Sequence, residues 1–287
     1  MEFRKDVQEA IWTQLLGLMP ERESELKDLW EKYQPKFNLV EDVTRDGKVI
    51  LDAGLYREVR FNHRSMKLIW LASFVAWEGY CAVDAGWDTQ QFELVRFKSL
   101  VAVFKKIMDA DDPDTVPWPD SLPRPGTLPD ATNDVQLRAA AELAIFASGW
   151  ALLHEIRHIK HQQDGTSSGP YGSKQELHDE EFSCDAFAAE FILEQVEQFA
   201  GSEGVDASRV RQKREMGLLH AMFALSMLTI ERWGDSVSHP DTLSRIHRGL
   251  NIIGTTVEKD SLKCSCMSFI ALSAIYPNSP QPFTVDE

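Results

Sequence analysis

The sequence predicts an α+β protein that is predominantly helical, with a small β-sheet or hairpin drawn from the N-terminal half. Three observations predict it. Apolar residues recur at helical spacing through nearly all of residues 132–287, β-branched and aromatic residues concentrate in three short runs before residue 63, and a proline-rich stretch separates the two regions.

Residues 3–33 have the apolar spacing of a helix. FNLVED, KVILDA and YREVRFN are the strand-like runs, broken by Asp46-Gly47 and Gly54. RSMKLIWLASFVAWEGYCAV and QQFELVRFKSLVAVFKKIMDA each fit a helix. Residues 113–129 hold six of the thirteen prolines, and proline both fixes φ and removes a donor, so this stretch is an extended strap. The chain thus divides into a mixed part (1–112), a connector (113–131) and a helical part (132–287), with the mixed part contributing to the same catalytic unit. Asn133-Asp134 supplies the N-cap of a long helix from about Val135 to Gln162. DGTSSGPYGS (164–173) reads as a loop, followed by helices over 174–200, 207–233, 241–253 and 260–275.

A net charge of −15 argues against nucleic-acid binding, because a phosphate backbone demands a basic face. No uninterrupted apolar run reaches membrane-spanning length, and the N-terminus lacks a signal-peptide pattern, so no membrane insertion is expected. The four cysteines show no zinc-ribbon spacing and suit a reducing cytoplasm.

WALLHEIRHIKH (150–161) places His154 and His158 four apart, with Glu155 beside the first. On a helix that spacing stacks both imidazoles on one face, within reach of a single Zn²⁺. Glu155 projects at a neighbouring angle, where a carboxylate can take a proton from an attacking water. The pattern is short enough to arise by chance, but its apolar flanks would bury all three groups, which is costly without a metal or partners.

A third ligand has two candidates, Asp164 and Glu181. Asp164 stands where one H-E-x-x-H subclass carries its ligand, but that route needs a small residue at 161, and His161 is there. His161 itself lies two turns from His154, too far to share an ion. Glu181, in E-F-S-C-D on the next helix, has Asp185 on the same face to orient a ligating histidine. Glu180 and Asp179 fit an acidic, solvated helix start. Cys184 is a soft donor whose simpler role is packing.

H-E-x-x-H followed by E-x-x-C-D, and then His239-Pro240…Arg245-Ile246 within SHPDTLSRIHRGL, resembles the gluzincin metallopeptidases. The likeness is to their CAAX-prenyl-protease and HtpX-like group and covers roughly residues 140–250. It implies a zincin-like core in which His154, His158 and Glu181 bind Zn²⁺ and Glu155 is the general base. It further implies that His239 stabilises the oxyanion and that Arg245 is the partner of Asp185. Unlike the membrane members, this chain is expected to lack transmembrane helices. In size, acidity and layout it also looks like the Lit-type phage-exclusion peptidases, cytoplasmic zinc proteases that cleave a host translation factor.

The expected function is therefore zinc-dependent hydrolysis of a peptide bond in a protein or peptide substrate, with a role in phage defence implied by the second likeness. A catalytically silent scaffold with a regulatory role and a non-peptide metallohydrolase are the alternatives. YREVRFNH is a candidate edge strand for extended substrate, or else a plain core hairpin.

Overall fold

The computed structural model describes residues 4–41, 48–169, 172–230, 232–254 and 259–283. Ten α-helices and one three-stranded sheet occur among them.

Helix α1 (Lys5–Leu18) buries Val7, Ile11, Leu15 and Leu18 on one stripe. The single helix expected over 3–33 is in fact two, because Pro20 cannot continue the backbone ladder and opens a short 3₁₀ turn before α2 (Glu23–Tyr33). Strand β1 (Lys36–Leu39) follows, then β2 (Leu51–Ala53) and β3 (Glu58–Phe61), in the spatial order β1-β3-β2. β1 runs parallel to β3 with Phe37 opposite Val59, and β2 is antiparallel to β3 with Leu51 opposite Phe61. The Asp46-Gly47 break lies outside the described residues. β3, the candidate edge strand, is the middle strand with neighbours on both sides; β2 is an outer strand and packs on α5.

Helix α3 (His63–Gly86) starts at a capping box between Asn62 and Ser65. α4 (Val95–Asp109) packs on it. Through the proline-rich stretch, Leu122 is buried and the Trp70 indole donates to the Pro123 carbonyl at 3.1 Å. α5 (Val135–Asp164) is capped by Asp134, whose side chain accepts from Leu137 N–H. α6 (Lys174–Leu193) begins at a second capping box, Ser173 with Glu176. The helix expected over 174–200 breaks at Gln195 (φ 60°), and α7 (Val196–Glu203) restarts it. α8 (Ala207–Leu228), α9 (Thr242–Ile253) and α10 (Lys259–Ser273) complete the chain.

α3, α5 and α8 pack against one another, with α10 over α3 and α8, α6 along α5, and α9 across α6. One continuous apolar cluster joins residues from both sides of the proline-rich stretch. Gly217 lets α8 approach α5 closely, since a Cβ there would overlap the Phe146 side chain. Two helical stretches, His63–Thr89 and Val135–Asp164, are long and apolar enough to cross a membrane, contrary to the reading of uninterrupted runs. Their most apolar windows are 61% and 83% buried within the protein, which accounts for that character by core packing.

His220 is buried in α8, and neither ring nitrogen has a hydrogen-bond partner. Burial pushes its pKa down from 6.5 to about 4. The unfolded chain therefore binds this proton more readily, and stability present above pH 6.5 is lost as pH falls towards 4. Denaturant unfolding should show His220→Leu flattening that acid loss by about 3 kcal/mol at most. An unchanged pH profile would contradict it.

Candidate metal and active site

α5 carries His154, Glu155 and His158 on a buried stretch that faces α6, and α6 brings Glu180, Glu181, Cys184 and Asp185 opposite them. The small residues Ala188 and Ala189, both buried, allow that approach. The Nε2 atoms of His154 and His158 lie 3.2 Å apart. Glu181 closes the group, with Oε2 3.5 Å from His154 Nε2 and Oε1 3.2 Å from His158 Nε2.

The far side of each ring is anchored. His154 Nδ1 and Asp185 Oδ1 are 2.9 Å apart, and His158 Nδ1 and Glu180 Oε1 are also 2.9 Å apart. An ionised carboxylate can only accept, so each Nδ1 carries a proton, and with a divalent cation present each ring would be neutral and turn its Nε2 lone pair to the shared point. Glu180 is itself fixed by the Ser168 N–H at 2.7 Å and by the Ser167 hydroxyl. It is no solvated helix-start residue, as its sequence position suggested, but the orienting partner of His158.

Asp185 receives Arg245 from α9 as a two-point pair, Nε to Oδ2 at 2.8 Å and Nη2 to Oδ1 at 2.7 Å. Arg245 Nη1 is also 3.6 Å from Glu181 Oε2. His239 stands at the rim, exposed, with Nε2 3.7 Å from Glu181 Oε1. Its segment is tied to α6 by His178, whose Nε2 is 2.9 Å from the Ser236 carbonyl oxygen. Of the residues singled out in the sequence, His154, Glu155, His158, Glu181, His239 and Arg245 line one cleft, and Asp185 sits behind it. Asp164 is elsewhere engaged, with Lys160 and the Tyr33 hydroxyl, and His161 bonds Thr166 and Ser183. Cys184 is buried, and its thiol lies in one cluster with a ring nitrogen of each histidine, all within 4.8 Å of one another.

Burial raises the Glu155 carboxyl to about 7, although both imidazoles pull it down. Burial opposes protonation of His154, yet its hydrogen bond to Asp185 and the facing Glu181 carboxylate raise it to about 10. His158 is likewise raised against burial, by Cys184, Glu180 and Glu181. Glu180 drops to about 2, because its bonds to His158 and the Ser168 N–H outweigh burial. Arg245 lowers Asp185 despite complete burial.

These residues fit a divalent metal. Donors bound tetrahedrally at zinc distances stand about 3.3 Å apart, close to the separations found here. Glu181 Oε2 is buried and accepts no hydrogen bond. Four carboxylates (Glu155, Glu180, Glu181 and Asp185) converge where Arg245 is the guanidinium bonded among them, a surplus that a divalent cation would offset with both imidazoles neutral.

Comparison with known proteins adds one finding. No curated protein and no solved structure matches the chain. Residues 59–265 match the family model for peptidase U49, a span that takes in every residue of this cluster. The chain belongs to the peptidase U49 family, and it is a peptidase.

Proposed function

We propose that this peptidase is a zinc-dependent endopeptidase, with His154, His158 and Glu181 holding the metal. The observation that carries this reading is the convergence of two Nε2 atoms and an unsatisfied carboxylate at mutual distances of 3.2–3.5 Å. Glu181 is preferred to Cys184 because each of its oxygens faces one Nε2 atom. A zinc ion held there supplies a Lewis acid that polarises a scissile carbonyl and acidifies water.

The protein groups divide the remaining work. Glu155, buried and raised towards neutrality, accepts the proton of the attacking water and returns it to the departing amine. His239, at the rim, donates to the oxygen that gains charge as the carbonyl is attacked. Asp185 and Glu180 hold the two imidazoles in register, and Arg245 holds Asp185. β2 lines the same cleft through Leu51, Asp52 and Ala53 and is an outer strand among the described residues, which suits an extended substrate segment. An acidic cytoplasmic protease of the phage-exclusion kind, acting on a host protein such as a translation factor, is the biology we infer from the family match and the composition.

Two substitutions, with Cys184→Ala as the comparison, test the ligand assignment. Glu181→Ala should strip zinc, whereas Glu180→Gln, which leaves the donors intact but slackens His158, should weaken zinc by roughly 10–100-fold. Competition with a chromogenic chelator reads both. Undiminished zinc affinity in Glu181→Ala, with loss in Cys184→Ala instead, would transfer the third position to the thiol.

A further inference from the structure

We propose that the inner end of the cleft is a specificity pocket for one bulky apolar side chain of the substrate, with its size limit set by Ala147, Ala151, Ala221 and Ala224. The proposal rests on the peptidase reading and deepens it. The cavity measures 390 Å³, within the range of ligand pockets, so it is larger than the reacting groups alone require. On α5, Ala147, Trp150 and Ala151 precede His154, Glu155 and His158 along one helical face, and both sets line the cavity. At 1.5 Å per residue, Ala147 lies about 10 Å along the axis from His154, roughly the reach of a long side chain entering beside the scissile bond. Across from it, α8 lines the cavity with Ala221 and Ala224, one helical turn apart. Four alanines on two facing helices are what keep this space open, because any larger residue there would project into it.

The chemistry of the lining selects the occupant. Beyond the metal cluster and the Trp150 indole, its polar side chains already have partners. The Thr229 hydroxyl bonds the Leu225 carbonyl at 2.9 Å and Thr242 at 3.1 Å, and Asp52 is paired with Arg60 at 2.8 Å. A charged or amide side chain would lose its water there and find at most the Trp150 indole N–H in exchange. A leucine-like or phenylalanine-like side chain would gain by burial, and alanine or glycine would leave the pocket unfilled.

Two probes separate this proposal from the zinc reading. Calorimetry of the zinc-loaded full chain compares acetohydroxamate with 4-methylpentanohydroxamate, which adds a branched apolar tail to the same metal-binding head. The longer probe should bind at least about tenfold tighter. Ala224→Phe and, independently, Ala147→Leu should each erase that advantage while leaving acetohydroxamate unchanged. Toluene needs no metal, and its binding is read by chemical-shift changes of the alanine methyls. It should bind the wild type and lose to either variant. Equal binding of the two hydroxamates, or no toluene binding to the wild type, overturns the pocket. Toluene binding without any hydroxamate binding leaves the pocket standing and removes the zinc.

Discussion

Glu155→Gln should keep its metal and its fold and lose peptide cleavage by roughly a hundredfold or more. The amide has nearly the same shape as the carboxylate, so the packing around this buried side chain survives. What it lacks is the ability to take a proton. Glu155 lies on α5 between the two histidines and lines the cleft, and no other carboxylate there is spare. Glu181 faces the imidazole nitrogens, and Asp52 is held by Arg60. Initial rates on a peptide substrate, with zinc content and thermal unfolding as controls, check the expectation. Wild-type turnover would remove Glu155 from the role of base.

The second large effect concerns Asp185 and Arg245. They are 60 residues apart in sequence and meet as a buried two-point pair. Removing one partner strands the other's charge, and each single alanine variant should lose about 3–5 kcal/mol of stability. The double variant should lose less than the sum, by a coupling of about 0.5–3 kcal/mol. The singles should not behave alike towards zinc. Asp185→Ala takes the hydrogen-bond partner from His154 Nδ1 and also frees Arg245 to close on Glu181 Oε2, which is already 3.6 Å away. Arg245→Ala leaves the Asp185–His154 bond in place. Zinc affinity should therefore fall further in Asp185→Ala than in Arg245→Ala. Strictly additive stabilities, or equal zinc losses, would contradict this chain of contacts.

Local rules made much of this legible in sequence. The four-residue spacing of His154 and His158 fixes their shared face whatever surrounds the helix, and Asp134 announces the start of α5. Glu181 with Asp185 follows from the same arithmetic on α6, once a metal is supposed. The meeting of Asp185 with Arg245 was reached only through family resemblance, because no local rule links residues 60 apart. Glu180 was misread because an acidic residue near a helix start ordinarily needs no partner, and only the packing of α6 on α5 shows that it has one. Of the two readings of β3, the edge strand fails and the core hairpin with β2 holds; the pattern could not choose, because the parallel pairing with β1 is a long-range contact that it does not reveal. The break at Gln195 has no local signal, since glutamine does not favour positive φ, whereas Pro20 carries a signal for the break after α1 that the single-helix reading passed over.

The central claim is that one metal ion sits between His154, His158 and Glu181. Elemental analysis of the purified full chain tests it most directly, alongside His154→Ala prepared in the same way. The account predicts about one zinc per wild-type chain and almost none in the variant. A wild-type chain that stays near zero after zinc supplementation, or a variant that keeps its full equivalent, would contradict it.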